Sequence, residues 1–263
     1  MRQQCPNPES LTEEQGMIAV EALQSRFNDS VRLEIFHDSP GKHVAHYQEV
    51  DGRDFVLRTY AGPVRDIVRS RRTTLREAHG IFTSAHRNAG IHVANASVLP
   101  GSVYPSGTAI ISEFIPGTRP FAAARLSSKI QLAKSLPTLM MQKGPAGQRI
   151  SYEAIQPDTF LTAGQGDDER VVVVDVDPYV FTPTGQFGEA SYHAGFTRKC
   201  AEVLWDTTSG DQRQKVMLAY VDECSLLIDE LGPNADDLYF KAFADVHLMS
   251  NDIDFRTLPS HQS

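Results

Sequence analysis

Cysteine is scarce in this chain. Its 263 residues hold three, Cys5, Cys200 and Cys224, with no paired spacing. An odd, scattered set argues against a disulfide framework and against a zinc ribbon. Cys200 and Cys224 sit in helix-like apolar patterns, where buried reduced thiols are expected. Positive charge is also short: 25 Lys and Arg against 33 Asp and Glu leave a net charge of −8. That balance argues against a general nucleic-acid binder. No apolar run approaches the roughly 20 residues of a membrane-crossing helix. Met1 to Ser10 carries no apolar core of signal-peptide length. The expectation is a cytoplasmic protein in a reducing setting, with neither membrane nor nucleic acid as partner. No Gly-x-Ser-x-Gly nucleophile elbow, internal repeat or low-complexity block is present.

What is there begins with Val171-Val172-Val173-Val174-Asp175-Val176-Asp177-Pro178. Four β-branched residues in a row read as a buried strand. Two carboxylates follow at its C-terminal end, where the chain turns at Pro178. Carboxylates on a rigid strand end suit a hard cation such as Mg²⁺ carrying nucleotide phosphates. A plain strand ending in a polar turn is the simpler alternative.

Upstream, Gln156-Pro157-Asp158-Thr159-Phe160-Leu161 and the polar stretch Ala163–Arg170 lead into that strand. The order resembles the aminoglycoside phosphotransferase and choline kinase branch of the protein-kinase-like superfamily. There a loop His-x-Asp-x-(His/Gln)-Pro-x-Asn-x-Leu precedes a hairpin and a strand ending in a metal-binding Asp. Gln156, Pro157 and Leu161 fall in register, and Asp175 falls on the metal-binding Asp with Asp177 as auxiliary. Asp54 to Gly62 resembles the third small-lobe strand, with Arg58 at the phosphate-contacting cation. Leu75-Arg76-Glu77-Ala78 resembles the helix whose Glu pairs with that cation. Thr108 to Gly117 resembles the strand and hinge between lobes and includes Glu113. Gly41, in Asp38-Ser39-Pro40-Gly41-Lys42, takes the place of the nucleotide-covering loop. A single Gly there also fits an ordinary hairpin turn.

The resemblance implies an α+β fold of two lobes: a small antiparallel sheet with a helix, and a mainly helical large lobe. It implies ATP and Mg²⁺ as ligands, and the cleft between lobes as the ligand site. The catalytic loop departs from it. Ala154 occupies the catalytic Asp position, Thr159 the second metal ligand's, and Tyr152 replaces the His. Ala has no proton acceptor, and Thr is a poorer Mg²⁺ ligand than Asn. Loss of a positioned base costs about 10²–10⁴ in rate. Glu153 and Asp158 are the acids near enough to substitute if the loop is rearranged.

The expected organisation is a loose tail over residues 1–10, a small lobe over 11–116 and a large lobe over 117–263. Val31–Phe36 and Val44–Val50 alternate as strands, with Asp51-Gly52 as a tight turn. Arg65–Ala89 reads as one long helix, Ile91–Leu99 and Ala109–Ile115 as strands four and five. Leu126–Lys143 is helical, with Pro137 expected to kink or break it. Tyr192–Thr207, Gln212–Leu231 and Leu238–Met249 complete the helices, with Phe196, Leu204 and Trp205 as core. The nine histidines read as structural, and Arg69, Arg71, Arg72 and Arg76 as a solvated basic face.

The leading functional expectation is a degenerate, pseudokinase-like protein binding a nucleotide or a peptide or protein partner. An atypical ATP-dependent phosphotransferase acting on a small hydroxylated molecule, or on a Ser or Thr of a precursor peptide, is the alternative. A structural partner subunit without nucleotide binding is the third.

Overall fold

Alternating apolar residues and tight turns build the first part of the chain. The computed structural model describes residues 29–38, 42–60, 74–99, 108–183 and 188–227. Strands β1 (Val31–Asp38), β2 (Lys42–Gln48) and β3 (Asp54–Tyr60) form an antiparallel meander. The turn after β2 is closed by Gly52, whose φ of 81° lies in the left-handed region that glycine adopts without strain. The chain then enters helix α1 (Leu75–Asn88). Two short strands follow, β4 (His92–Val93) and β5 (Ala96–Val98), and then β6 (Thr108–Glu113). The five-stranded sheet runs β1-β2-β3-β6-β5, antiparallel throughout. Phe55, Leu57, Leu99 and Ala109 cluster on it, with Tyr47 and Ile111 packed against them.

Further along lie β7 (Arg119–Pro120), helix α2 (Leu126–Met141), β8 (Arg149–Ile150), β9 (Phe160–Ala163), β10 (Arg170–Val173) and β11 (Val180–Phe181). Helices α3 (Gly188–Asp206) and α4 (Gly210–Leu226) complete the described residues. β9 and β10 are an antiparallel hairpin, as the polar stretch between them suggests. β4 pairs parallel to β10 on its other side. The chain divides into two compact units: Met1–Val64 with Asn95–Phe114, and Arg65–Ala94 with Ile115–Ser263. The fold is α+β, an antiparallel sheet in one unit and a mainly helical second unit.

Helix α2 is the axis of the second unit's core. Leu132, Ala133, Leu136, Leu139 and Met140 are all fully buried on it. Its first residues have no side-chain cap of their own. Glu169, from the β9–β10 hairpin, supplies one: its carboxylate accepts from the Arg125 backbone N–H at 2.8 Å and from Ser128 Oγ at 2.8 Å. Arg119 completes the cluster with a 2.7 Å ion pair to Glu169. At the other end, Arg149 is 1% exposed and donates Nη1 to the carbonyls of Met140, Met141 and Gln142. Its Nη2 pairs with Glu189 of α3 at 2.7 Å. An anion at the helix start and a cation at its end both match the helix dipole.

Several expectations are corrected. Helix α1 does not run unbroken from Arg65: Thr74 is an extended N-cap, and Thr74 with Glu77 forms a reciprocal capping box. Residues 61–73, with Arg69, Arg71 and Arg72, lie outside the described residues, as do 1–28 and 228–263, which hold the expected tail, the expected Leu238–Met249 helix and Cys5. Ile91–Leu99 is not one strand. It splits at Ala94-Asn95, where the chain leaves one unit for the other: β4 joins β10, and β5 joins β6. Pro137 does not end α2. Burying a large aliphatic side chain contributes about 1.5–3 kcal/mol. The fully buried residues around Pro137 therefore outweigh its helix cost of about 3 kcal/mol. Cys200 and Cys224 are free and buried, as expected. Phe196 and Leu204 are core, but Trp205 is half-buried with the Arg213 guanidinium 4.0 Å over its ring.

Two predictions follow from the capped helix. Burial opposes ionisation of Glu169, but the hydrogen bonds from Arg125, Ser128 and Arg119 and the Arg119 charge prevail, holding its pKa below the ordinary 4.5. A carboxyl with a depressed folded-state pKa contributes stability that is present above the unfolded value and lost as pH falls through the folded one. Urea unfolding should therefore show the wild type losing stability from about pH 5 downward. The Glu169→Gln variant should be less stable at pH 7 by about 1–3 kcal/mol and less sensitive to acid. Equal acid sensitivity of the two would remove Glu169 from this role. Separately, Arg149→Met should cost about 1–3 kcal/mol, because it leaves the Met140, Met141 and Gln142 carbonyls without their donor, while Glu189 keeps Lys143 at 3.7 Å.

Candidate functional site

β8 delivers the chain to a 3₁₀ turn, Tyr152–Ala154, that opens the loop leading to β9. Ser151 starts the turn, its Oγ accepting from Glu153 N at 3.3 Å. The loop then closes on itself. Thr159 Oγ1 donates to the Ala154 carbonyl at 2.9 Å and accepts from Gln156 N at 3.3 Å. Gln156 Nε2 donates to the Glu153 carbonyl at 3.1 Å. Ala154 is buried at 6% exposure, so the position of the expected catalytic Asp carries an inward-packed methyl group. The Thr159 hydroxyl, at the position of the expected Asn, is engaged by loop backbone on both its donor and acceptor sides. Glu153 and Asp158 are both exposed. Tyr152 packs on α3 at Gly195, where an added Cβ would lie 3.3 Å from the Tyr152 ring.

The hairpin brings the chain back through β10, and Asp175 and Asp177 follow just beyond its end. Asp177 is buried at 1% exposure, and its carbonyl accepts from Tyr179 N at 2.8 Å. Asp175 is half-buried with Oδ1 enclosed. Two carboxylates at a rigid strand end fit a hard cation in donor chemistry. Among the described residues no three His, Cys, Asp or Glu side chains gather into a metal site. A cation here would take its remaining ligands from phosphate or water oxygens, as Mg²⁺ commonly does.

The other sequence-expected residues fall as follows. Gly41 lies outside the described residues; the strand ends beside it are tied by His43 Nδ1 and Asp38 Oδ1 at 3.3 Å. Arg58 belongs to the sheet unit, where it is 4% exposed and donates Nη1 to Ser112 Oγ at 2.8 Å. Glu77 belongs to the other unit and is exposed. Its carboxylate takes the Thr74 N–H at 2.7 Å and the Thr74 hydroxyl at 2.9 Å, which holds its pKa below the ordinary value. Glu113 accepts from Asn95 Nδ2 at 2.9 Å within the sheet unit.

Sequence reasoning missed a set of near-parallel rings beside the expected hinge segment. His46 stacks on Phe114 with centroids 3.9 Å apart, and Phe36 lies 6.2 Å from His46 and 6.5 Å from Phe114. His46 is also held by Asp54, with Nε2 and Oδ1 3.0 Å apart. Strand alternation could have put His46 on the Arg58 face, since Val44 pairs with Arg58 and His46 with Val56. Nothing in the sequence signals that Phe114 turns back onto it. The histidines of α1, His79 and His86, are both buried. His86 is fully buried, with Nδ1 2.8 Å from the Phe82 carbonyl, and burial pulls its pKa down to about 4 against the opposing hydrogen bond.

No family model matches this chain, and no curated protein matches it. Among solved structures it is similar to the Rio2 kinase of Chaetomium thermophilum in its ADP/Mg²⁺-phosphoaspartate complex. The identity is 12%, over 91% of this chain and 78% of that one, with a TM-score of 0.44. It is also similar to the pseudokinase DRIK1 (drought responsive inactive kinase 1) bound to ENMD-2076. There the identity is 10%, over 84% of this chain and 94% of that one, with a TM-score of 0.41. Overlaps this loose assign no residue a role.

Proposed function

We propose that this chain is a pseudokinase-like binding protein that takes a nucleotide, or a peptide or protein partner, and carries out little or no phosphotransfer. The observation that carries this reading is the loop closed on itself between Ser151 and Thr159. A base at Ala154 would have to accept the acceptor hydroxyl's proton, and a methyl group cannot. The second metal position carries Thr159, whose hydroxyl is already bonded to Ala154 O and Gln156 N. Asp175 and Asp177 retain the donor chemistry for one Mg²⁺, and Arg58 is the phosphate cation of this reading. Phosphoryl transfer depends on positioning and on metal-assisted charge stabilisation, so binding can persist where chemistry fails.

The test begins with melting temperature in the presence and absence of Mg²⁺ and ATP. A ligand at about 100 times its Kd stabilises the fold by about 2.7 kcal/mol. The expected result is a Mg²⁺-dependent shift in the wild type that is lost in Asp175→Asn, with the fold of that variant intact by circular dichroism. Equal shifts in both proteins would exclude Asp175 as the metal contact.

ATP consumption is the second arm. The wild type should turn over ATP negligibly, and Ala154→Asp combined with Thr159→Asn should raise transfer once an acceptor is supplied. Robust wild-type turnover that disappears in Glu153→Gln or Asp158→Asn would establish the atypical phosphotransferase instead. No shift with nucleotide, together with a stoichiometric protein partner, would leave the structural-subunit reading.

A further inference from the structure

The contact between α3 and β8 turns on one carboxylate. Glu189, in the first turn of α3, accepts from Arg149 Nη2 at 2.7 Å through Oε2, and Lys143 Nζ lies 3.7 Å from its Oε1. His193 stands one turn further along the same helix, with Nε2 3.8 Å from that same Oε2. That separation is too long for a hydrogen bond. The His193 side chain is 13% exposed, and its Nε2 is enclosed with no hydrogen-bond partner. One carboxylate therefore serves two cations, and a proton on His193 would add a third. The Arg149 guanidinium is fixed by the α2 carbonyls, and guanidinium groups stay charged in proteins. Lys143, at 53% exposure, can turn to water. His193 has no such escape unless α3 moves. The other titratable groups around it are phenols, which carry no charge near neutral pH. The Tyr192 ring lies 5.4 Å from the His193 ring, Tyr152 packs on α3 at Gly195, and Tyr220 of α4 donates to the Thr197 carbonyl at 3.4 Å.

We propose that protonation of His193 opens the junction of α3 with β8 and loosens the loop over Ser151–Thr159. A proton makes both ring nitrogens donors. The enclosed Nε2–H then needs an acceptor, and the one beside it, Glu189 Oε2, is taken by Arg149. The charge is met in one of two ways. Either α3 shifts until His193 displaces Arg149 from Glu189, or water enters the junction. Both separate Arg149 from its anion, and Arg149 stands two residues before Ser151. The electrostatics point the same way. Burial above all, then the Arg149 charge and the Lys143 charge, pull the His193 pKa down to about 4, with Glu189 opposing them. In an opened junction the ring is hydrated and takes up its proton at the ordinary 6.5. A histidine whose folded-state pKa is depressed gives stability that is complete above 6.5 and is lost as pH falls toward 4.

Histidine-ring NMR with assigned resonances should give His193 a midpoint near 4. Lys143→Met, which removes a repelling charge, should raise that midpoint. The amides of Ser151, Ala154 and Thr159 each donate to a backbone carbonyl, so their hydrogen exchange reads the opening. Corrected for intrinsic rates, opening in the wild type should rise about threefold to eightfold between about pH 7 and about pH 5.5. That range stays above the one in which Glu169 titrates. His193→Gln, close in size and neutral at every pH, should lose most of the rise. His86 is present in both proteins, so their difference reads His193 alone. Lys143→Met alters an exposed side chain and keeps the titration test available should His193→Gln fail to fold. A wild-type His193 that titrates near 6.5, a midpoint unmoved in Lys143→Met, or equal acid-driven opening in wild type and His193→Gln overturns the proposal.

Discussion

The second unit depends on one helix held between two opposite charges. Helix α2 supplies five fully buried apolar side chains to that unit, Leu132, Ala133, Leu136, Leu139 and Met140, yet it contains a proline and has no cap of its own making. Glu169 takes the backbone N–H of Arg125 and the Ser128 hydroxyl at its start, and Arg149 takes its last carbonyls. Both side chains are nearly inaccessible, at 2% and 1% exposure. An ion buried without partners would cost several kcal/mol. Here each charge has a counter-ion and several hydrogen bonds, so the arrangement is a stable one with little freedom to shift.

That rigidity reaches the candidate site because of where the two residues stand in the chain. Arg149 lies in β8, immediately before the loop that holds Ala154 and Thr159. Glu169 lies immediately before β10, whose far end leads to Asp175 and Asp177. Capping α2 therefore fixes both the entry to the loop and the root of the strand that carries the carboxylates. The hairpin between them is short and antiparallel, with Gly164 at a φ of 84° and a built Cβ only 2.4 Å from the Asp168 carbonyl oxygen. A side chain larger than hydrogen has no room there.

Much of this was legible in the sequence where local periodicity governs. The β1–β3 meander, the β9–β10 hairpin, the position of Asp175 after a valine strand and the general helix order all follow from alternation, turn residues and apolar spacing. Most failures share a physical cause: partners remote in sequence. The Arg65–Ala89 helix is different, since the start of α1 is set locally by the capping-box pattern Thr74-Leu75-Arg76-Glu77. Ile91–Leu99 looks like one strand because its two halves have similar composition; only the sheets they join separate them. Arg149 and Glu169 resemble ordinary surface charges until α2 places carbonyls and amides against them. The His46–Phe114 stack has no periodic signature.

The loop departs from the family pattern in a way the sequence shows only as missing groups. Ala154 and Thr159 read as two losses, an absent base and a poor metal ligand. Folded, they form one unit: the Thr159 hydroxyl bonds the carbonyl of Ala154 itself, so Thr159 fixes the backbone at Ala154. An Asn at Thr159 that turned its oxygen outward to a cation would have to release that bond. A buried methyl at Ala154 would have to become a solvated carboxylate. Each change alone disturbs the packing that the other residue supports. The two positions are therefore coupled through a shared backbone group and should behave non-additively. A loop built this way resists substitution at one of the two positions alone, although the carboxylates beyond β10 remain untouched by either change.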